Sequence, residues 1–509
     1  MLDWSRFRKN IFAGVLAQFA GIVLSLVTAP LIIHGLGVDR YGLWNVAAAL
    51  GGSIGFVNMI LSTTGIRFIA HAIGDRDAQG ASEAYQALTA WARLIGGTGA
   101  LFLIALTPWL AGHAMNVDAA HRELAGQVLL SQAVLIFFQV QSAVPAGAIG
   151  AYQRVDIFMA VRTTSQALQT IGSAAWAHTQ AGLLGVVWWN CFIQAAEWMT
   201  LSWASRRLLP ARTPFSLVQM FGWGRRIMRY GGTLLLDNVA AQMMLPLSRV
   251  ATGLLHSVTA VAYLTVPSTL VGHTRVLAMH VINAAMPAAS ERSGAGDAEG
   301  LRQLYFHSLR LAWMVLVPIG AMVIAFGGTF ISLWIGQDFG RMSTPLVAPL
   351  MLAIGLYTLG GVGEGMAQAT GRLLPCALIA VFSGLANAGL LLWWVRGGGG
   401  ALEAVHALSA ASALFALGIF TWAAHDLHAT FRDYVRALDM RLLLLTAGVA
   451  WIFSRFSPSA ARSDVLVLVG WAGLGFGIIF ALCRLWLLEE EWQWIQRRWG
   501  QFTGQKAHG

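Results

Sequence analysis

Apolar runs of about twenty residues recur along the whole 509-residue chain, and charged residues fall mostly in the gaps between them. A run of that length crosses the roughly 30 Å hydrocarbon layer as one α-helix. A helix is favoured there because it satisfies its own backbone hydrogen bonds where water is absent. Fourteen such runs can be read. They cover residues 11–33, 43–62, 88–110, 127–150, 157–177, 183–203 and 231–251 in the first half, then 258–287, 311–334, 346–370, 375–395, 405–424, 442–456 and 465–488. The fifth carries Arg162 near its start, and the thirteenth is short. Composition agrees: only 11% of residues are charged and 57% are hydrophobic, whereas a soluble domain is about 25% charged. Soluble and disordered classes are excluded. The expected fold is an all-α polytopic membrane protein.

The charges that remain are lopsided. Lys and Arg number 33 against 23 Asp and Glu, for a net +10, and the only lysines are Lys9 and Lys506. If the N-terminus is cytoplasmic, 25 basic residues face inward and 7 outward, with Arg275 left inside a run. This asymmetry places both termini in the cytoplasm. The first run keeps Gln18 and lacks a small-residue cleavage site, so it reads as a retained span. The outer loops are short, which argues against a polymerase or glycosyltransferase with an external catalytic loop. Cys191, Cys376 and Cys483 fall inside runs and read as small buried side chains. Two stretches read as interfacial helices anchored at the cytoplasmic headgroups. One holds Phe215, Phe221 and Trp223 beside Arg225, Arg226 and Arg229. The other holds Trp492, Ile495, Trp499 and Phe502 after Glu489–Glu491.

A repeat runs through the chain. Gly74, Asp77, Ala78, Gly80 and Tyr85 return as Gly294, Asp297, Ala298, Gly300 and Tyr305, all at one constant offset. Gly147, Ala151 and Arg154 return as Gly365, Ala369 and Arg372, at nearly the same offset. Six spans separate the copies, so both keep one orientation and relate by an axis along the membrane normal. The expected organisation is two pseudo-symmetric six-helix lobes plus two C-terminal helices. Residues 1–212 form the first lobe, 213–430 the second with a leading interfacial helix, and 431–509 the added helices and an amphipathic tail. Paired lobes around a cleft are what alternating access requires.

Three segments resemble one family. Leu36-Gly37-Val38-Asp39-Arg40-Tyr41-Gly42-Leu43-Trp44 is similar to the Leu-Gly-x-x-x-Tyr-Gly-Leu-Trp turn of the polysaccharide flippases. These belong to the multidrug, oligosaccharidyl-lipid and polysaccharide transporter superfamily. Met286-Pro287-Ala288-Ala289-Ser290 with Gly296-Asp297, and Ala369-Thr370-Gly371-Arg372, resemble that family's segments after spans eight and ten. The resemblance covers spans one to twelve. It implies a bacterial inner-membrane transporter that flips undecaprenyl-pyrophosphate-linked oligosaccharide outward, with no cofactor. Its implied partners are that lipid, the membrane lipids, and polysaccharide polymerase and export proteins. The motifs themselves read as structural. Tyr41-Gly42 suits a tight turn, with Tyr41 and Trp44 in the aromatic belt.

Ionisable groups inside spans are the candidates for function. Arg275 lies near mid-depth, where an arginine costs about 2.5 to 3.5 kcal/mol on insertion scales. Its planar fork suits a pyrophosphate; the competing reading is an ion pair, with Asp237 as one candidate partner. His273 and His280 are seven apart and share a face, with Asn283 near it, while Arg275 points about 200° from His273 on a regular helix. Only a kink at Pro267 or Gly272 would bring them together. Asn238, Gln242 and Gln18 either meet sugar hydroxyls or bond across helices. Asp237, Glu364 and Glu197 either bind a coupling ion or pair with arginines. Glu364 sits in the glycine-rich stretch 360–365, where an irregular helix is expected. The Gly397–Gly400 run lacks a following lysine and reads as a turn. No Walker sequence and no metal-ligand spacing appear, and nucleic acid is not an expected partner. A multidrug exporter and a lipid II flippase of the same superfamily remain alternatives. A major-facilitator transporter fits less well, because residues 74–80 do not carry its loop pattern.

Overall fold

In the computed structural model, the residues described are 21, 23–114, 122–209, 222–224, 232, 235–456, 470, 473–475 and 477–478. Among them every regular element is helical. Helix α1 (Val23–Leu36) meets α2 (Val38–Gly74) at a 117° bend. Next come α3 (Ala78–Trp109), which runs into a π-helical turn at Leu110–Ala114, then α4 (Arg122–Ala151), α5 (Val155–Ala177) and α6 (Gly182–Leu208). They are followed by α7 (Leu245–Leu255), α8 (Val258–Gly294), α9 (Ala298–Trp334), α10 (Gln337–Ala369), α11 (Leu373–Arg396) and α12 (Ala401–Asp426). A short α13 (Phe431–Ala437) precedes α14 (Met440–Phe456). Among the described residues seven helices are long and apolar enough to cross a membrane, and the bent α1–α2 pair makes an eighth. Helices α5, α6 and α8, of 23, 27 and 37 residues, also have the length but carry more polar side chains. The chain is a multi-pass membrane protein. The count of fourteen spans remains the expectation of the sequence.

Two compact units pack separately. One runs through Thr265 and includes Leu373–Ala411; the other holds Val266–Arg372 and the chain from Ser412 onward. This is a division by packing, whereas the repeat is a division by sequence. In the first unit α4 is the central helix. Val128, Leu129, Ile136, Val140, Val144 and Ala148 are almost wholly buried along it, against α2, α3 and α6. In the second unit α9 packs along α10, and α14 covers α9 through Val317, Met322, Phe326, Leu442 and Ala450.

The repeat is written into the backbone. Helices α2 and α8 both have 37 residues, and both their starts and their ends stand at the offset of the repeat. Asp77 and Asp297 cap α3 and α9, each accepting at 2.8 Å from the backbone N–H of Gly80 or Gly300. An added Cβ on either glycine would lie 2.1 or 1.9 Å from the capping carboxylate. Just before each cap a residue takes the left-handed region: Arg76 at φ 58° and Gly296 at φ 70°. After α4 and α10 the same turn returns at Gln153 (φ 57°) and Gly371 (φ 76°), again at equivalent positions. Helix packing repeats as well. A Cβ on Gly147 would approach the Ser62 carbonyl oxygen to 2.6 Å, and one on Gly365 would approach Ile282 to 2.7 Å. Ser62 and Ile282 are themselves equivalent positions of the repeat.

Three local expectations are corrected. The tight turn belongs to Gly37, at φ 81°, and Tyr41-Gly42 already lies inside α2. Gly42 is required for close approach, since a Cβ there would sit 1.9 Å from the Val258 carbonyl oxygen. Tyr41 is buried at 9% exposure and meets Trp44 edge-on, so it packs inside the protein. The seventh run is not one continuous helix. Residues 235–242 are helical, Met243 and Met244 turn, and α7 begins at Leu245 with Pro246 in its first turn. Proline has no N–H to continue the ladder and its ring clashes with the preceding turn. The stretch 360–365 lies in regular α10. Its glycines serve packing: Gly360 faces the Phe415 ring at 2.7 Å and Gly363 faces Ile419 at 2.4 Å, measured from an added Cβ.

Candidate functional site

Helix α8 carries Arg275 at its middle, with roughly 26 Å of helix on either side at 1.5 Å per residue. The helix runs unbroken through Pro267 and Gly272. No interruption therefore brings the two sides of α8 together, and Arg275 is not joined to His273 and His280. His273 is half-buried; His280 and Asn283 are exposed. Both histidines remain on a face of their own.

The Arg275 guanidinium lies over the face of Tyr357 from α10, 5.1 Å from the ring centroid. Tyr357 stacks in turn on Phe415 of α12, with centroids 4.9 Å apart and planes tilted by 34°. The ring quadrupole attracts the cation by about 0.5 to 2 kcal/mol, but it accepts none of the directed N–H bonds of the fork. The buried Nε of Arg275 has no hydrogen-bond partner among the described residues. No ion pair involving Arg275 is present among them either. A buried donor left in this state costs about 1 to 3 kcal/mol, more when the group is charged. The arrangement stacks the guanidinium on an aromatic pair and leaves its buried Nε without a hydrogen bond among the described residues.

The acids divide. Glu197 of α6 is 3% exposed and pairs with Arg162 of α5 at 3.1 Å. That pair accounts for the arginine in the fifth run, since an intramembrane charge is tolerated when it is paired. Asp237 is half-buried, and its Oδ1 is buried without a hydrogen-bond partner among the described residues. Asn238 and Gln242 follow it on the same half-buried stretch. Asp237 belongs to the first unit and Arg275 to the second. Glu364 is half-buried in α10. Gln18, Cys483 and both interfacial segments except Trp223 lie outside the described residues. Trp223 meets Phe68 edge-on at 5.2 Å. Cys191 and Cys376 are buried and in no disulfide among the described residues.

Asn387 of α11 was not singled out by its sequence context. It is fully buried and bridges the break before α7: its amide nitrogen donates to the Met243 carbonyl at 2.8 Å and the Met244 carbonyl at 3.2 Å. The Met243 carbonyl stands at the break, where a backbone group must still be satisfied inside a membrane protein, while the Met244 carbonyl also accepts from the Ser248 N–H at 3.2 Å. A second missed group is Arg249 of α7, a half-buried arginine.

Residues 38–344 match a family described as "Polysaccharide biosynthesis protein", a match over more than half of the chain. No curated protein sequence matches. Among solved structures, "Lipid II flippase MurJ, inward closed conformation" is similar with a TM-score of 0.72 and 12% identity, covering 93% of this chain and 98% of that one. An inward-facing multidrug resistance MATE family transporter of the MOP superfamily has a TM-score of 0.67 and 15% identity, covering 81% and 98%. A MATE transporter in complex with MaL6 has a TM-score of 0.55 and 16% identity, covering 80% and 96%. At these identities the likeness is one of fold.

Proposed function

The chain belongs to the polysaccharide biosynthesis protein family, and from that premise we propose that it flips undecaprenyl-pyrophosphate-linked oligosaccharide from the cytoplasmic to the periplasmic leaflet. The transport would serve exopolysaccharide, capsule or O-antigen synthesis in a bacterial inner membrane, by alternating access and with both termini cytoplasmic. A single observation carries this reading: a mid-helix arginine held on an aromatic face with a buried, unbonded donor. A pyrophosphate entering there would receive paired N–H bonds from the guanidinium, each stronger than a neutral hydrogen bond. The gain offsets part of the anion's desolvation, and the sugars follow while the polyprenyl tail stays in lipid. Polar groups such as Asn238, His273, His280 and Gln18 are proposed sugar contacts. Asp237 and Glu364 are proposed coupling groups, and Glu197 a structural ion-pair partner. Polysaccharide polymerase and export proteins are the proposed partners.

Replacing Arg275 tests this in cells. Arg275→Ala is expected to abolish polysaccharide export while the protein accumulates in the membrane at its normal level. Full export at normal level would refute the role. A second reading has its own observation. Asp237, with an unbonded buried carboxylate oxygen, suits a cationic cargo of the kind a multidrug exporter carries. In that case Asp237→Asn, and not Arg275→Ala, would stop transport. Lipid II, the cargo named for the similar MurJ structure, shares the pyrophosphate and would also depend on Arg275. Competition between the two headgroups separates these cargoes.

A further inference from the structure

Helix α6 presents one outward stripe. Trp188, Phe192, Met199 and Trp203 are 51%, 62%, 54% and 56% exposed. They fall within about 60° of one another on the helix circumference. In a membrane protein such a face meets acyl chains. Phe192 to Trp203 spans roughly 16 Å along the axis, the depth of one leaflet.

The stripe ends in two arginines. Arg206 continues it on the same side, and Arg207 lies one step around, its guanidinium 3.8 Å from the centroid of the Trp203 ring. Both are exposed. Among the described residues neither is paired with a carboxylate. Trp198, Met199, Ser202, Trp203, Arg206 and Arg207 line a cavity of about 390 Å³. Its walls are held from behind. Trp198 packs on Phe138 at 5.6 Å, and Tyr85 bonds Ser205 at 3.1 Å beside Arg206. Such a cavity holds a phosphate with its immediate substituents, and the apolar stripe below it fits the chain that the phosphate carries.

We infer that this end of α6 binds an anionic phospholipid, with the phosphate on Arg206 and Arg207 and one acyl chain along Trp203, Met199 and Phe192. Two adjacent arginines without a carboxylate partner call for an anion, and direct continuity with the lipid-facing stripe requires that the anion be anchored in the leaflet. The site is independent of Arg275 and of the transported cargo.

Native mass spectrometry of the full chain in detergent tests this with phosphatidylglycerol and phosphatidylcholine as probes. A basic side chain near an anionic lipid surface is worth about fivefold in affinity, so phosphatidylglycerol is expected to be retained about 25-fold better than phosphatidylcholine. Arg206→Ala with Arg207→Ala should erase that preference, and the double Lys variant should keep most of it. Arg432→Ala with Arg436→Ala, an exposed basic pair on α13, should leave it unchanged. If the double Ala variant does not fold, Arg206→Gln and Arg207→Gln singly should each lower the preference about fivefold. An unchanged preference in these variants would overturn the site. So would displacement of the bound lipid by undecaprenyl pyrophosphate but not by phosphatidylglycerol, which would assign the arginines to the cargo.

Discussion

Asn387 and Arg275 both lie on long helices of the membrane protein, yet they were not equally legible. Arg275 stands out because a mid-span arginine costs enough to require a reason. Its contact with Tyr357, two helices further along the chain, is a matter of tertiary packing that no spacing encodes. Asn387 reads as one polar residue among many, because the carbonyls it holds lie at a break several helices earlier. Its role predicts a cost: Asn387→Leu takes its donor from the Met243 carbonyl, while the Met244 carbonyl keeps the Ser248 N–H, and should lower stability by about 1 to 3 kcal/mol. Thermal unfolding in detergent measures this, and an unchanged transition would mean that the break is held otherwise. Asp156 offers a milder test at the surface. Arg154, bound to it at 3.0 Å, holds the Asp156 carboxyl below the ordinary carboxylate range. A carboxyl lowered in this way stabilises the fold above its unfolded value, and the contribution is lost as pH falls through the folded value. Asp156→Asn should therefore be slightly less stable near neutral pH and indistinguishable from the parent once the carboxyl is protonated. The pair is exposed, so the difference is small.

At the scale of the element, glycines and caps carried more information than apolar runs. The runs located the helices, but they gave no account of why α2 and α8 extend to 37 residues each. Those ends are set by Asp77 and Asp297 starting the next helix. Replacing Asp77 or Asp297 by Ala removes an N-cap worth about 0.5 to 2 kcal/mol, and Gly80→Ala or Gly300→Ala should approach the same loss by displacing the carboxylate. The seventh run misled because Pro246 sits inside an otherwise continuous apolar stretch, and apolarity alone does not show where a helix is interrupted. The glycine repeat makes a graded prediction. Gly147 faces backbone at Ser62, whereas Gly365 faces only the flexible side chain of Ile282. Gly147→Ala should cost about 1 to 3 kcal/mol by overpacking, and Gly365→Ala distinctly less. Thermal unfolding of the two variants under one condition decides this; equal losses would mean that the first crossing yields as readily as the second.

For the whole molecule, duplication explains more than any single motif. Left-handed residues, caps, glycine contacts and helix bounds all recur at equivalent positions of the two copies. The resemblance motifs are junctions in this plan: Ser290, from the Pro-x-x-Ser segment, donates to the carbonyl of Ala369 at 2.9 Å, in the Ala-x-Gly-Arg segment. They carry the family resemblance and serve helix junctions, so the sequence disclosed class and family while the proposed cargo rests on a few intramembrane charges. In the proposed transport an anion-headed, lipid-linked oligosaccharide crosses on Arg275. That crossing is tested most directly in proteoliposomes of the full chain, by following a labelled polyprenyl-pyrophosphate-linked oligosaccharide between leaflets. Protein-dependent flipping is expected, falling at least about tenfold in Arg275→Gln, a loss of about 1.4 kcal/mol or more of binding to the guanidinium, with neutral amphiphiles left in place. Flipping by Arg275→Gln at the parent rate, or transport of a cationic amphiphile that Asp237→Asn abolishes, would contradict it.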